Sequence, residues 1–158
     1  MLYVDSSALS KRYLREHGST ELGLKLEEAG NANEPILTSF LTYAEIHAVF
    51  SRKLRDGSLL TAEHHLAVTR FDSDWKTYFV RVELSHVVLT LVRDLVGKHP
   101  LKASDAIQLA SASWAIQPTR TRGGRKGTQR SAVFATADKQ LATAAEYEQF
   151  EVFNPEVP

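Results

Sequence analysis

A chain of 158 residues, 43% of them hydrophobic, has the length of one domain and can bury a core without covalent staples. It contains no cysteine, which excludes disulfides and thiolate metal sites. Nineteen Lys and Arg balance nineteen Asp and Glu, so a charged partner has to be read from where the charges lie rather than from their sum.

Leu2, Tyr3 and Val4 form an apolar β-type run that stops at Asp5, the pattern of a buried strand delivering a carboxylate to a sheet edge. Ser6 to Arg15 reads as a helix that Ser6 or Ser7 can cap, with Leu9, Tyr13 and Leu14 as its apolar stripe and Gly18 stopping it. Ser19 starts a second helix, in which Leu22, Leu26 and Ala29 fall at helical spacing before Gly30 closes it. Pro35 to Thr38 is a short strand, Ser39 to Asp56 a long helix ending at Gly57, and Thr61 opens a helix running to about Trp75 or Lys76. Phe79 to Leu84 alternates as a third strand, and Ser85 can cap the following helix, which carries Val88, Leu91, Val92 and Leu95. Ala103 to Ile116 is the next helix. Ala132 to Ala135, Lys139 to Tyr147 and Phe150 to Phe153 then follow as strand, helix and strand.

Strands alternating with helices predict an α/β domain over residues 1–158, with a mainly parallel sheet of about five strands covered on both faces. The longest apolar runs, such as Val87 to Leu89 and Leu95 to Val96, are too short to span a bilayer, and Met1 leads directly into structure. A soluble cytoplasmic protein with no membrane partner is expected.

The charges are segregated. Between Pro118 and Ser131 lie Arg120, Arg122, Arg125, Lys126 and Arg130 with no acid. Removing those five from the nineteen basic residues leaves fourteen against nineteen acids, so the rest of the chain is net minus five. With Gly123, Gly124 and Gly127 among its charges, the 117–131 segment cannot bury apolar area and is expected to be a flexible basic loop suited to an anionic partner.

Two acids interrupt helix faces that should be apolar. Leu41, Glu45 and Val49 are spaced four apart, as are Leu101, Asp105 and Leu109, so each carboxylate shares a line with core residues. Two more, Asp5 and Asp138, follow the apolar strands Leu2 to Val4 and Ala132 to Ala135, where sites form in open parallel sheets. Taken singly, Asp5 and Asp138 can be helix caps, Asp105 an acid placed by the helix dipole, and Glu45 a surface salt-bridge partner. Taken together, carboxylates without His or Cys favour Mg²⁺ or Mn²⁺ over Zn²⁺. Such a site suits phosphodiester hydrolysis.

The chain resembles the PIN-domain ribonucleases and, within them, the VapC-type toxins of bacterial toxin–antitoxin pairs. The resemblance lies in Tyr3-Val4-Asp5-Ser6-Ser7-Ala8-Leu9 with Lys11, Tyr13 and Leu14, and in Tyr43-Ala44-Glu45-Ile46. It continues in Leu101-Lys102-Ala103-Ser104-Asp105-Ala106-Ile107-Gln108-Leu109-Ala110 and in Phe134-Ala135-Thr136-Ala137-Asp138-Lys139-Gln140-Leu141 with Ala144 and Ala145. These motifs stand in the family's order and cover nearly the whole chain. The resemblance implies an acidic metal-binding quartet at Asp5, Glu45, Asp105 and Asp138, with the hydroxyl of Thr136 near the metal and Ser7 as a supporting residue. It further implies a three-layer α/β/α fold, Mg²⁺-dependent endoribonuclease activity, a homodimer and a cognate antitoxin. The long basic 117–131 segment departs from the family pattern, so substrate preference is not carried over.

A binding module from another class, holding RNA through the 118–131 loop without cleaving it, is the alternative. A phosphoacceptor domain is disfavoured because Asp5 is followed by Ser6 rather than a second acid, and no Lys lies beyond Lys139. Gly123 to Thr128 has a phosphate loop's residue types, but a strand rather than a helix follows. His64 and His65 are adjacent, point to different sides of a helix and are expected at the solvated surface. Trp75 and Trp114 are assigned to the core.

Overall fold

The computed structural model describes residues 1–116 and 132–157. The chain alternates strand and helix from the start. Strand β1 (Leu2–Val4) is followed by a short helix α1 (Ser6–Leu9) and by α2 (Ser19–Asn31). Next come β2 (Ile36–Ser39), the helical hairpin α3 (Leu41–Arg55) and α4 (Thr61–Thr77), and β3 (Val80–Val82). Helices α5 (His86–Lys98) and α6 (Ala103–Ile116) precede β4 (Val133–Ala135), and α7 (Lys139–Tyr147) leads to β5 (Glu151–Phe153).

All four strand pairings are parallel, in the order β3-β2-β1-β4-β5. Side-chain alternation along β1 divides the core. Leu2 and Val4 pack with Ile36 and Ala135 beneath Leu22, Leu26, Ile46, Phe50 and Phe71 of α2, α3 and α4. Tyr3 packs on the other face with Leu37, Val82 and Phe134 beneath Val88, Leu95, Leu109 and Leu141 of α5, α6 and α7. Its ring stacks on Phe134 at 5.2 Å. Three layers, helix over sheet over helix, result.

Strands 1 to 3 are laid down in one direction and strands 4 and 5 in the other. Right-handed crossovers therefore place α1–α4 on one face and α5–α7 on the opposite face. The reversal falls between β1 and β4, and the carboxyl ends of those two strands border the crevice where open parallel sheets bind ligands. Asp5 and Thr136 directly follow them.

Several elements depart from their predicted extents. The helix expected over Ser6 to Arg15 is α-helical only to Leu9 and continues as a 3-10 turn through Ser10–Arg12. It breaks because its later residues are claimed elsewhere. Arg12 and Tyr13 both reach Asp74 of α4 at 2.9 Å, and the Leu14 carbonyl accepts from the Ser19 hydroxyl. Asp5, not Ser6 or Ser7, caps this helix by accepting from the Ala8 N–H. Gly30 lies within α2, whose turn is instead completed at Asn33 with φ 51°. Of Phe79 to Leu84 only three residues pair, because β2 offers them a short edge. Trp75 is buried as expected, but Trp114 is 44% exposed. His65 is exposed, whereas His64 is half-buried, with its Nδ1 buried and lacking a partner among the described residues.

Candidate active site

Asp5 sits at the end of the central strand because the β1–β4 pairing carries it there. Its N–H donates to the Ala135 carbonyl at 3.1 Å, the last rung of that ladder. Its carboxylate is buried and fully partnered. Oδ1 accepts from the Ala8 N–H and the Ser7 hydroxyl, both at 2.9 Å. Oδ2 accepts from the Thr136 hydroxyl at 3.1 Å. Burial pushes this carboxyl up to about 7, against the lowering effect of the bonds from Ala8, Ser7 and Thr136, and the charge of Glu45 raises it further.

Thr136 and Ser7 join the two central strands. Ser7 Oγ and Thr136 Oγ1 lie 3.2 Å apart, and Ser7 Oγ accepts from the Ala137 N–H at 2.9 Å. Thr136 Oγ1 accepts from the Asp138 N–H at 3.1 Å. Asp138 is thus tied by its backbone to the group that holds Asp5. Its side chain caps α7, with Oδ1 accepting from the Gln140 and Leu141 N–H groups at 2.8 and 2.9 Å.

Glu45 is half-buried on α3, four residues beyond Leu41 on the face expected for it. A side chain with no assigned role fixes it. Gln108 of α6 is buried and donates through Nε2 to Glu45 Oε2 at 2.7 Å and to Thr42 Oγ1 at 2.9 Å. Its Oε1 accepts from the Tyr3 hydroxyl at 2.7 Å. Thr42 in turn accepts from Thr38, whose hydroxyl faces both it and the Val4 carbonyl. A buried polar chain therefore runs from β1 through α6 to the Glu45 carboxylate. The available signal was a glutamine three residues beyond Asp105, on the same helix face, among apolar neighbours.

Asp105 lies in the first turn of α6, as its dipole-based reading required. The Ser104 hydroxyl donates to its Oδ1 at 3.2 Å, but Oδ2 is buried and has no hydrogen-bond partner among the described residues. An orphaned buried carboxylate oxygen is costly, and a cation would satisfy it. Asp5, Ser7, Thr136 and the Asp138 backbone are thus in direct contact, and Glu45 acts on Asp5 through its charge. As the side chains stand, no three His, Asp or Glu of the described residues gather closely enough to hold one ion. Arg120, Arg122, Arg125, Lys126 and Arg130 lie outside the described residues.

The fold is a three-layer α/β/α domain, with this cluster at the switch point of its parallel five-stranded sheet. The chain is similar to the crystal structure of FitAcB from Neisseria gonorrhoeae, with a TM-score of 0.66 and 16% identity over 100% of both chains. No family model matches the sequence, and no curated protein does. No helix among the described residues is long and apolar enough to cross a membrane.

Proposed function

We propose that this chain is a metal-dependent endoribonuclease acting as the toxin of a toxin–antitoxin pair. The observation that carries the proposal is a buried carboxylate, Asp5, at the sheet's switch point, beside Thr136 and under the charge of Glu45. The residues fit a hard divalent ion on two counts. The donors are oxygens only, and Asp105 Oδ2 is buried without a partner. Asp5, Glu45, Asp105 and Asp138 would hold Mg²⁺ or Mn²⁺. When bound, the ion supplies phosphate charge neutralisation and an activated water. The chain's own groups prepare the site. Ser7 and Thr136 fix the Asp5 carboxylate, Gln108 orients that of Glu45, and burial keeps bulk water from Asp5. The basic residues Arg120 to Arg130 would contact RNA phosphates. The quoted motifs and the fold likeness to FitAcB support the toxin role and an antitoxin partner.

Purified protein is expected to cut RNA with Mg²⁺ or Mn²⁺ and to stop when the metal is chelated. Asp5→Asn and Asp105→Asn should each reduce cutting by more than about 10- to 100-fold, the loss seen when merely supporting groups of metal sites are removed. Mn²⁺ should raise the melting temperature of the wild type but not of Asp5→Asn. Full activity in both variants would sink the proposal.

A non-catalytic RNA-binding module is the second reading. It is favoured by the service of Asp5 and Asp138 as helix caps and by the absence of three gathered acids among the described residues. A salt-sensitive RNA complex that no divalent ion converts to cleavage would select it.

A further inference from the structure

One cluster of ion pairs beside the acidic site has no part in the scheme above. Lys11 lies in the 3-10 turn Ser10–Arg12 that follows α1. Its side chain is only 5% exposed and ends on two carboxylates. Glu156 Oε1 is 2.6 Å away and Glu16 Oε1 3.6 Å away. Glu16 is shared, since it also meets Lys53 at 3.2 Å and the Ser10 hydroxyl. Glu156 is not shared in this way. It is 38% exposed, and the Lys11 hydrogen bond, with His17 and Lys139 nearby, holds its carboxyl below the usual range.

The setting is specific. Glu156 follows β5, and β5 adjoins β4, whose next residue Thr136 donates its N–H to the Phe153 carbonyl at 3.0 Å. Lys139 is the residue after Asp138. The segment that presents Glu156 is fixed by an Asn154 side chain accepting from the Glu156 N–H, and by Pro155 packed against Gly18. One buried lysine thus ends on a semi-exposed carboxylate three residues beyond β5, the strand next to the one that delivers Thr136.

Resting on the nuclease reading, we propose that Lys11 forms a subsite for one RNA backbone phosphate and that the Glu156 carboxylate occupies it as an internal stand-in anion. Substrate phosphate takes the place of Glu156, whose solvent-facing side leaves it free to swing out. The buried lysine keeps an anionic partner in either state, which a buried cation requires. Glu156 therefore competes with RNA and weakens its binding in the resting protein.

The test measures anisotropy of a labelled single-stranded RNA, without divalent ions, on the Asp5→Asn background. Adding Glu156→Gln should tighten binding by roughly two- to fivefold, the scale of one exposed ion pair. Adding Lys11→Met should weaken binding, lower the salt slope by about 0.7 and abolish the gain from Glu156→Gln. Equal or weaker binding by the Glu156→Gln protein, with or without a lower melting temperature, would mean that the pair is only a structural clasp and would overturn the proposal. If no RNA binds to any variant, the nuclease reading itself fails, and inorganic phosphate then decides. Phosphate raising the melting temperature of Glu156→Gln more than that of the wild type supports the subsite, and an equal response overturns it.

Discussion

Asp5 carries two duties that have different chemical requirements. As the cap of α1 it needs only an acceptor oxygen, which asparagine supplies equally well. As a metal ligand it needs a negative charge, which burial opposes. Asp5→Asn therefore separates the duties, whereas Asp5→Ala removes the cap as well, at a cost of about 1 kcal/mol. A carboxyl whose folded pKa of about 7 lies above its unfolded value of 3.8 binds its proton more tightly when folded. Its contribution to stability is present below pH 4, declines as pH rises to about 7 and is gone above that, at a slope of at most about 1.4 kcal/mol per pH unit. With metal chelated, the denaturation free energy of the wild type should fall more steeply than that of Asp5→Asn between pH 4 and 7. Parallel curves would show that burial does not raise the Asp5 carboxyl above its unfolded value. Gln108 illustrates the limit of reading residues singly. Its place in the motif was visible, but its hold on Glu45 depends on α3 and α6 meeting over β1.

Among the elements, the turn between the first two helices shows how distant chain can fix local backbone. Gly18 adopts φ 84° at the start of α2, and a Cβ there would lie 2.7 Å from the Pro155 carbonyl oxygen. Gly57 has a similar φ of 79° with nothing within 4 Å of such a Cβ. Gly57→Ala should cost only left-handed strain, about 1–2 kcal/mol. Gly18→Ala should cost about 2–4 kcal/mol, because the Pro155 backbone must also move. Denaturant titration of the two variants measures the difference, and equal losses would refute the Pro155 contact. The extents of α6 and α7 matched their sequence signals because Ala103–Ile116 and Lys139–Tyr147 are bounded by strong local cues, including the Asp138 cap. The Ser6 to Arg15 segment did not, because Asp74 and Ser19 draw its later residues away. Tertiary contacts outweigh helix propensities of a few tenths of a kcal/mol per residue.

At the scale of the whole molecule, the family resemblance leads us to expect a homodimer. Light scattering at micromolar concentration should give twice the chain mass of 17.6 kDa. A mass of one chain would remove that expectation. The order β3-β2-β1-β4-β5 explains why Asp5 and Thr136, far apart in sequence, meet, for β1 and β4 are separated by 128 residues and yet are adjacent. Sequence by itself determined the alternation of strand and helix, the parallel sheet and the acids at strand ends, because periodicity and caps are properties of a few neighbouring residues. It could not say whether Asp5 and Asp138 were caps or ligands, and the structure makes both of them caps while gathering Asp5, Ser7 and Thr136 into one contact. Only tertiary structure decided the partners of Asp5, Glu45 and Lys11. Each of those contacts spans elements that meet through sheet order and crossover hand, and burial of the facing apolar surfaces holds them there.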